Sequence, residues 1–177
     1  AWSLPTKLYD DGVEFKNVYD GSYFKLTPQE SIRTQNLLGS DIAMIFDCLI
    51  SVEKPDDEQK QAIEITKKWA SIAKTTHNNS LQSLFGIVQG GLNLTLREQS
   101  AKSMIDLDFD GYAIGGLAIG ESSEERKTVV EYLSNILPAD KPRYVMGLGD
   151  TMGLIDLIDS GVDMFDCVWP ARLARHG

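Results

Sequence analysis

Short apolar runs alternate along the chain with longer segments whose apolar residues recur at helical spacing. The apolar runs are continuous rather than alternating with polar residues, which is typical of strands buried on both faces of a parallel sheet. They predict five strands, at residues 42–46, 84–88, 112–114, 143–146 and 164–168.

Five helices are predicted beside these strands. Thr27, Pro28 and Glu30 form a helix start, and Gly39 is the expected stop. Ser122 and Glu125 form a second capping box. The other predicted helices cover 56–74, 96–105 and 151–158. Ahead of them, residues 13–15 and 23–25 around the Asp20-Gly21 pair predict a hairpin.

Strands alternating with helices predict an α/β fold, either a doubly wound sheet or a (β/α)8 barrel. A whole barrel typically takes ~250 residues, so a barrel chain of this length would hold about five strand-helix units. No linker or low-complexity stretch interrupts the 177 residues, which favours one domain.

Composition narrows the class of protein. Hydrophobic residues make up 42% and charged residues 24%, values that exclude collagen-like, disordered and disulfide-scaffold proteins. The net charge of -9 argues against a general nucleic-acid binder, although a local basic edge remains compatible with it. Two distant cysteines and no apolar run of membrane length favour a cytoplasmic protein without a membrane segment. The start shows no signal-peptide pattern and lacks Met, which suggests a piece of a longer chain.

Polar and glycine residues follow each predicted strand. Since ligands of α/β proteins bind at the carboxyl ends of the strands, these residues predict a site for a planar polar ligand. Each of these residues has an ordinary structural explanation, as a helix cap or a turn residue. Their occurrence together is stronger evidence for a ligand site than any one of them. Asp166 lies inside an apolar run, and a buried carboxylate is costly unless it is paired, which makes Asp166 a candidate functional residue. The strand-end residues are Asp47, Gln89, Gly115, Gly116, Met146, Gly147, Gly149 and Asp166.

Five of these segments resemble the signatures of bacterial tRNA-guanine transglycosylases, in the family's order and spacing. They are residues 46–47, 86–91, 109–121, 143–149 and 163–168. The resemblance implies a TIM (β/α)8 barrel in which residues 1–177 are the central part of the barrel domain. It also implies zinc in the full-length protein, with the zinc ligands and an Asp-Ser-Gly-Gly stretch outside this chain. It leaves open whether residues 1–177 are active by themselves.

The resemblance implies a glycosyltransferase of the queuosine pathway. Guanine at the anticodon wobble position would be exchanged for 7-aminomethyl-7-deazaguanine (preQ1) by double displacement. Asp166 matches the nucleophile that attacks the ribose C1′. Asp47 matches the residue that reads the base edge. The other implied base contacts are Gln89, Gly115, Gly116, Leu117 and Met146.

The same resemblance implies that the partner is a tRNA with a wobble guanine (GUN anticodon), and it allows a homodimer. Arg172 and Arg175 would be the basic edge of an acidic chain. The implied RNA contacts are Gly147, Leu148, Gly149, Asp150, Thr151, Met152, Gly153, Ala171, Arg172, Leu173, Ala174 and Arg175.

One residue predicts the choice of incoming base. Ile119 stands where relatives that admit the bulkier queuine tend to carry glycine, so we expect preQ1. Departures from the family pattern occur at Cys48, Leu49, Trp169 and Ala171, the first two beside Asp47. Two alternatives stay open: another (β/α)8 enzyme acting on purines or glycosides, and a non-catalytic partner subunit of a transglycosylase.

Overall fold

The computed structural model of the protein describes residues 6–117, 120–149 and 151–176. Its central feature is a sheet of five parallel strands. These strands are β4 (Ile42–Met44), β5 (Ser83–Val88), β6 (Gly111–Ile114), β7 (Arg143–Val145) and β8 (Met164–Phe165). A smaller antiparallel sheet precedes them, made of β1 (Thr6–Tyr9), β2 (Gly12–Lys16) and β3 (Tyr23–Leu26).

Helices connect the parallel strands and cover the sheet. They are α1 (Pro28–Leu38), α2 (Asp56–Thr76), α3 (Leu94–Asp106), α4 (Ser123–Ser134), α5 (Thr151–Asp159) and α6 (Trp169–His176).

The order of the strands decides between the two α/β architectures. The parallel strands lie side by side in chain order, β4-β5-β6-β7-β8. A doubly wound sheet reverses its order at a switch point, whereas a barrel adds each new strand on the same side. The curled sheet and its five strand-helix units therefore form part of a (β/α)8 barrel, as the family resemblance implied.

Two buried clusters hold these elements together. The larger joins the middle strands to α3 and α4, with Ile87, Ile114 and Val130 almost fully buried. In the smaller, Phe46 stacks on Trp69 of α2 with 4.9 Å between ring centroids. The Trp69 indole N–H also donates to the Asp10 carbonyl at 2.8 Å, which ties the antiparallel sheet to α2.

Local signals confirm the predicted helix ends. Thr27 and Ser122 both form complete capping boxes, with Glu30 and Glu125 respectively. Gly39 ends α1 with φ 67°, a left-handed conformation that glycine adopts without steric cost.

Three features differ from the sequence prediction. The hairpin gains a third strand, β1, which pairs with β2. The chain forms a further helix, α6, after the last strand. The strand β8 covers only two residues, so Asp166 lies just beyond it and is exposed rather than buried. Among the described residues, no helix is long and apolar enough to cross a membrane.

Candidate active site at the strand ends

The strand ends bring the predicted base-reading residues together. Because β4, β5 and β6 are parallel neighbours, the residues that follow them lie at one edge of the sheet. Asp47 follows β4 and Gln89 follows β5 directly. The Gln89 side-chain amide donates to a carboxylate oxygen of Asp47 at 2.5 Å. The two side chains are therefore in direct contact at the strand ends.

The environment of Asp47 perturbs its ionisation. Burial raises the pKa of this carboxyl group, and the hydrogen bond from Gln89 acts in the opposite direction. A Gln amide carries two donor hydrogens, so one bond to Asp47 leaves one to offer to a carbonyl oxygen. A carboxylate and an amide in contact present both an acceptor and a donor to a planar polar ligand.

Two glycines after β6 make room for Gln89. A Cβ atom at Gly115 would lie 2.7 Å from the Gln89 amide nitrogen, and one at Gly116 would lie 2.5 Å from its amide oxygen. Gly116 also has φ 66°, a conformation that favours glycine. With only 3% of Gln89 exposed, these contacts fix the orientation of its amide.

The remaining predicted base contacts lie beside this pair. Leu117 is buried in the main core, and Met146 packs against that core while keeping part of its surface exposed. Ile119, on which the choice of incoming base depends, lies outside the described residues, as does Ala118.

Asp166 lies at the other end of the same edge, after β8. One of its carboxylate oxygens accepts two hydrogen bonds, each of 2.6 Å, from the Tyr144 hydroxyl and the Gly147 backbone N–H. Burial and the neighbouring Asp166 carboxylate raise the pKa of the half-buried Tyr144, so its phenol stays protonated and donates. Asp166 is thus an exposed carboxylate held in one orientation by two donors.

The predicted RNA contacts flank Asp166. Ala171, Arg172, Leu173, Ala174 and Arg175 form most of α6 and are all exposed. Thr151, Met152 and Gly153 form the first turn of α5, whereas Asp150 lies outside the described residues.

A groove connects these segments with the end of β6. It is lined by Gly120, Glu121, Arg126, Gly147, Leu148, Gly149, Cys167, Val168, Trp169 and Arg172. Gly149 is required there, because a Cβ atom at this position would lie 2.3 Å from the Cβ of Cys167. Trp169 leaves half of its surface exposed at the start of α6.

Cys48 turns away from the site. Only 5% of it is exposed, against Ala62, Ile65 and Trp69, and burial raises its thiol pKa to about 11. Its backbone N–H donates to the Thr66 hydroxyl at 3.0 Å. Of the two departures beside Asp47, Leu49 is therefore the exposed one.

Two residues of this site were missed by the sequence analysis. Tyr144 carries no signal beyond its place in a strand. Arg97 did carry one, because it shares the apolar face of α3 with Ala101 and Met104, at positions i, i+4 and i+7. A cation on the buried face of a helix points to a specific set of partners.

Within residues 6–117, 120–149 and 151–176, no three His, Cys, Asp or Glu side chains are grouped as a metal site would require. The resemblance places the zinc ligands outside this chain, so the zinc of the full-length protein stays a prediction.

Comparison with known proteins identifies the family. The family model described as Queuine tRNA-ribosyltransferase matches residues 1–177. A queuine tRNA-ribosyltransferase of Bacillus licheniformis is 48% identical over 172 residues, which cover 97% of this chain and 45% of that protein. Those of Thioalkalivibrio sulfidiphilus and Acinetobacter baumannii are 45% and 43% identical, each over 97% of this chain and 46% of the relative. The chain spans about half the length of these relatives, and it belongs to the queuine tRNA-ribosyltransferase family.

Proposed function

We propose that the protein containing this chain exchanges guanine for preQ1 at the wobble position of tRNA anticodons. Residues 1–177 would be the central part of its barrel domain. The observation that carries the proposal is the edge of the parallel sheet, which holds the Asp47–Gln89 pair and the oriented carboxylate of Asp166. One group can read a base, and the other can attack a sugar.

The base-reading step uses the pair after β4 and β5. The Asp47 carboxylate can accept the two N–H groups of the guanine Watson–Crick edge, and Gln89 can donate to the exocyclic oxygen. Gly116 would address the same oxygen through its backbone N–H, and Met146 would pack on the base face. The base must leave the anticodon stack to enter, which is easier in a single-stranded loop.

The chemical step uses Asp166. Its carboxylate oxygen would attack the ribose C1′ as the bond from C1′ to guanine breaks and guanine leaves with the electron pair. A ring nitrogen of the incoming base would then attack C1′ as the bond from C1′ to Asp166 breaks, which regenerates the carboxylate. The proton that this nitrogen loses to solvent balances the one that the departed guanine takes up. Two inversions give net retention, and the exchange is split into two easier displacements. The donors Tyr144 and Gly147 support this role, because they hold the attacking group in place.

The tRNA would lie along α6 and the start of α5. Arg172 and Arg175 would bind phosphates of the anticodon loop. Trp169 supports this interface, because an exposed aromatic ring at the edge of the groove can stack on an unpaired base.

The incoming base would be preQ1, because the sequence carries Ile119 where relatives that admit the bulkier queuine tend to carry glycine. Competition of the two bases for one unmodified tRNA tests this choice. We expect preQ1 to be incorporated at least ~10-fold more efficiently, since a close-packed pocket rejects added bulk. Equal or better use of queuine contradicts it.

Covalent trapping tests the function as a whole. The intact protein, incubated with labelled tRNA, should retain label through denaturing electrophoresis, and excess guanine should release it. A purine or glycoside enzyme would instead act on free nucleosides without RNA. A non-catalytic partner subunit would bind tRNA and trap none.

A further inference from the structure

Arg97 is the most completely buried cation of the described residues, with 0% of its surface exposed. It lies in the first turns of α3, directly beneath the loop that follows β5. The contact is close, since a Cβ atom at Gly90 would lie 2.8 Å from the Arg97 backbone nitrogen. A charge in such a place is costly unless its donors are satisfied.

The guanidinium group donates to carbonyls from two neighbouring strand ends. Its Nε atom binds the Gly91 carbonyl at 2.8 Å, and Nη1 binds the carbonyls of Val88 at 2.9 Å and Gly115 at 2.7 Å. Nη2 lies 3.5 Å from the Gly116 carbonyl. Val88 and Gly91 lie near Gln89 in the chain, and Gly115 and Gly116 lie against its side chain. Only a planar group with several fixed donors can bridge them all.

The same face of α3 holds Gln89 a second time. The Ser100 hydroxyl accepts the Gln89 backbone N–H at 3.0 Å, one helical turn from Arg97. Gln89 is thus fixed on both sides of its backbone, while Gly115 and Gly116 confine its amide. Burial lowers the pKa of Arg97 to about 9, with Glu121 acting in the opposite direction, so the guanidinium is protonated at neutral pH.

We propose that Arg97 is a positioning residue for base recognition. By joining the loop after β5 to the loop after β6, it sets the distance between Gln89 and Gly116, the two groups that would address the base oxygen. The inference rests on the proposed function for its consequence, whereas the joining of the two loops is a property of the fold itself.

The test compares two arginines of the intact protein. Arg97→Lys keeps a charge but loses the planar set of donors. Arg143→Lys is the matched control, since Arg143 also donates to two carbonyls, those of Leu137 and Gly161, at the opposite end of the sheet. Both variants remove hydrogen bonds from a guanidinium group to backbone carbonyls, and only Arg97 contacts the loops after β5 and β6.

We expect Arg97→Lys to raise the KM for guanine ~10- to 100-fold with little change in the KM for tRNA, because a small misplacement of a recognition group has effects of this size. Hydrogen exchange of the backbone amides at 115–117 should also become faster. Arg143→Lys should leave both measurements within about twofold of wild type, whatever its effect on thermal stability.

Each outcome is decisive. If hydrogen exchange of the backbone amides at 115–117 is unchanged in Arg97→Lys, Arg97 does not join the two loops. Faster exchange with an unchanged KM for guanine assigns Arg97 a structural role only. If the wild-type protein does not exchange guanine in tRNA, the proposed function fails. The hydrogen-exchange measurement still decides whether Arg97 holds the two loops together.

Discussion

Asp166 combines two properties that seldom occur together, exposure to solvent and a fixed orientation. The Tyr144 hydroxyl and the Gly147 N–H both bind the same carboxylate oxygen. The raised pKa of Tyr144 keeps that donor protonated. In the proposed reaction, the second carboxylate oxygen would be the one that attacks the ribose C1′.

Replacing Asp166 tests its role as the nucleophile. In the intact protein, Asp166→Asn should lower base exchange by at least ~1,000-fold, because removing a covalent catalyst removes both displacement steps. Affinity for tRNA should stay within about threefold of wild type, since the substitution keeps the side-chain size. Exchange of labelled guanine measures the first and a filter-binding assay the second. Exchange at a near wild-type rate in the variant removes Asp166 from this role.

The ionisation of Asp47 makes a separate prediction about stability. Because burial raises the pKa of Asp47, the folded state holds this proton to a higher pH than the unfolded chain. The free energy of unfolding therefore falls as pH rises from the usual pKa to the raised one, by about 1.4 kcal/mol for each unit between them. Asp47→Asn removes this loss, since an amide carries no charge.

We therefore expect Asp47→Asn to equal or exceed wild type in melting temperature at pH 7, with the difference shrinking toward about pH 4. The same variant should bind guanine ~30-fold or more weakly, because an amide cannot accept both N–H groups. Asp10→Asn, an exposed carboxylate in a surface ion pair, is the control. A variant that binds guanine normally shows that Asp47 does not read the base.

At the scale of elements, five of the six described helices were predictable, from caps or from the helical spacing of apolar residues, and the last helix was not. Thr27 and Ser122 mark their helices in the sequence, because each cap is satisfied within four residues. The helix α6 carries no such cap and places Pro170 in its first turn. The strand β8 was predicted too long, since its apolar run continues past the two residues that pair with β7.

The helix α6 carries the prediction about RNA affinity. Arg172→Ala and Arg175→Ala should each weaken tRNA binding ~3- to 10-fold at low salt and reduce the salt dependence by about one counterion. Lys60→Ala, a mostly exposed cation on α2, is the matched control and should change neither. The measurement is the affinity for tRNA across a series of salt concentrations. If the arginine variants behave like Lys60→Ala, the tRNA does not bind along α6.

At the scale of the whole molecule, the sequence predicted the alternation of strands and helices. The order of the strands in the structure then decided for a barrel over a doubly wound sheet. The residues proposed to read the base came from sequence motifs, and Asp47, Gln89 and Gly116 lie at or shortly after the ends of parallel strands. The contacts of Arg97 and Tyr144 could not be predicted, because they cross neighbouring strands, although the position of Arg97 on the apolar face of α3 was a usable signal. The orientation of Asp166 is likewise a property of the assembled sheet.

The burial of Cys48 has a practical consequence for solution work. A thiol with a pKa of about 11, packed against Trp69, reacts slowly with alkylating reagents at neutral pH, because only the thiolate attacks them. Of the two cysteines in this chain, Cys167 is then the one that a maleimide dye modifies. Peptide mapping after brief labelling should find the dye there and leave Cys48 unmodified. Cys167 follows Asp166 directly and lines the groove with Arg172. If tRNA binds there as proposed, it should slow the labelling of Cys167, and the labelling rate would then report tRNA occupancy.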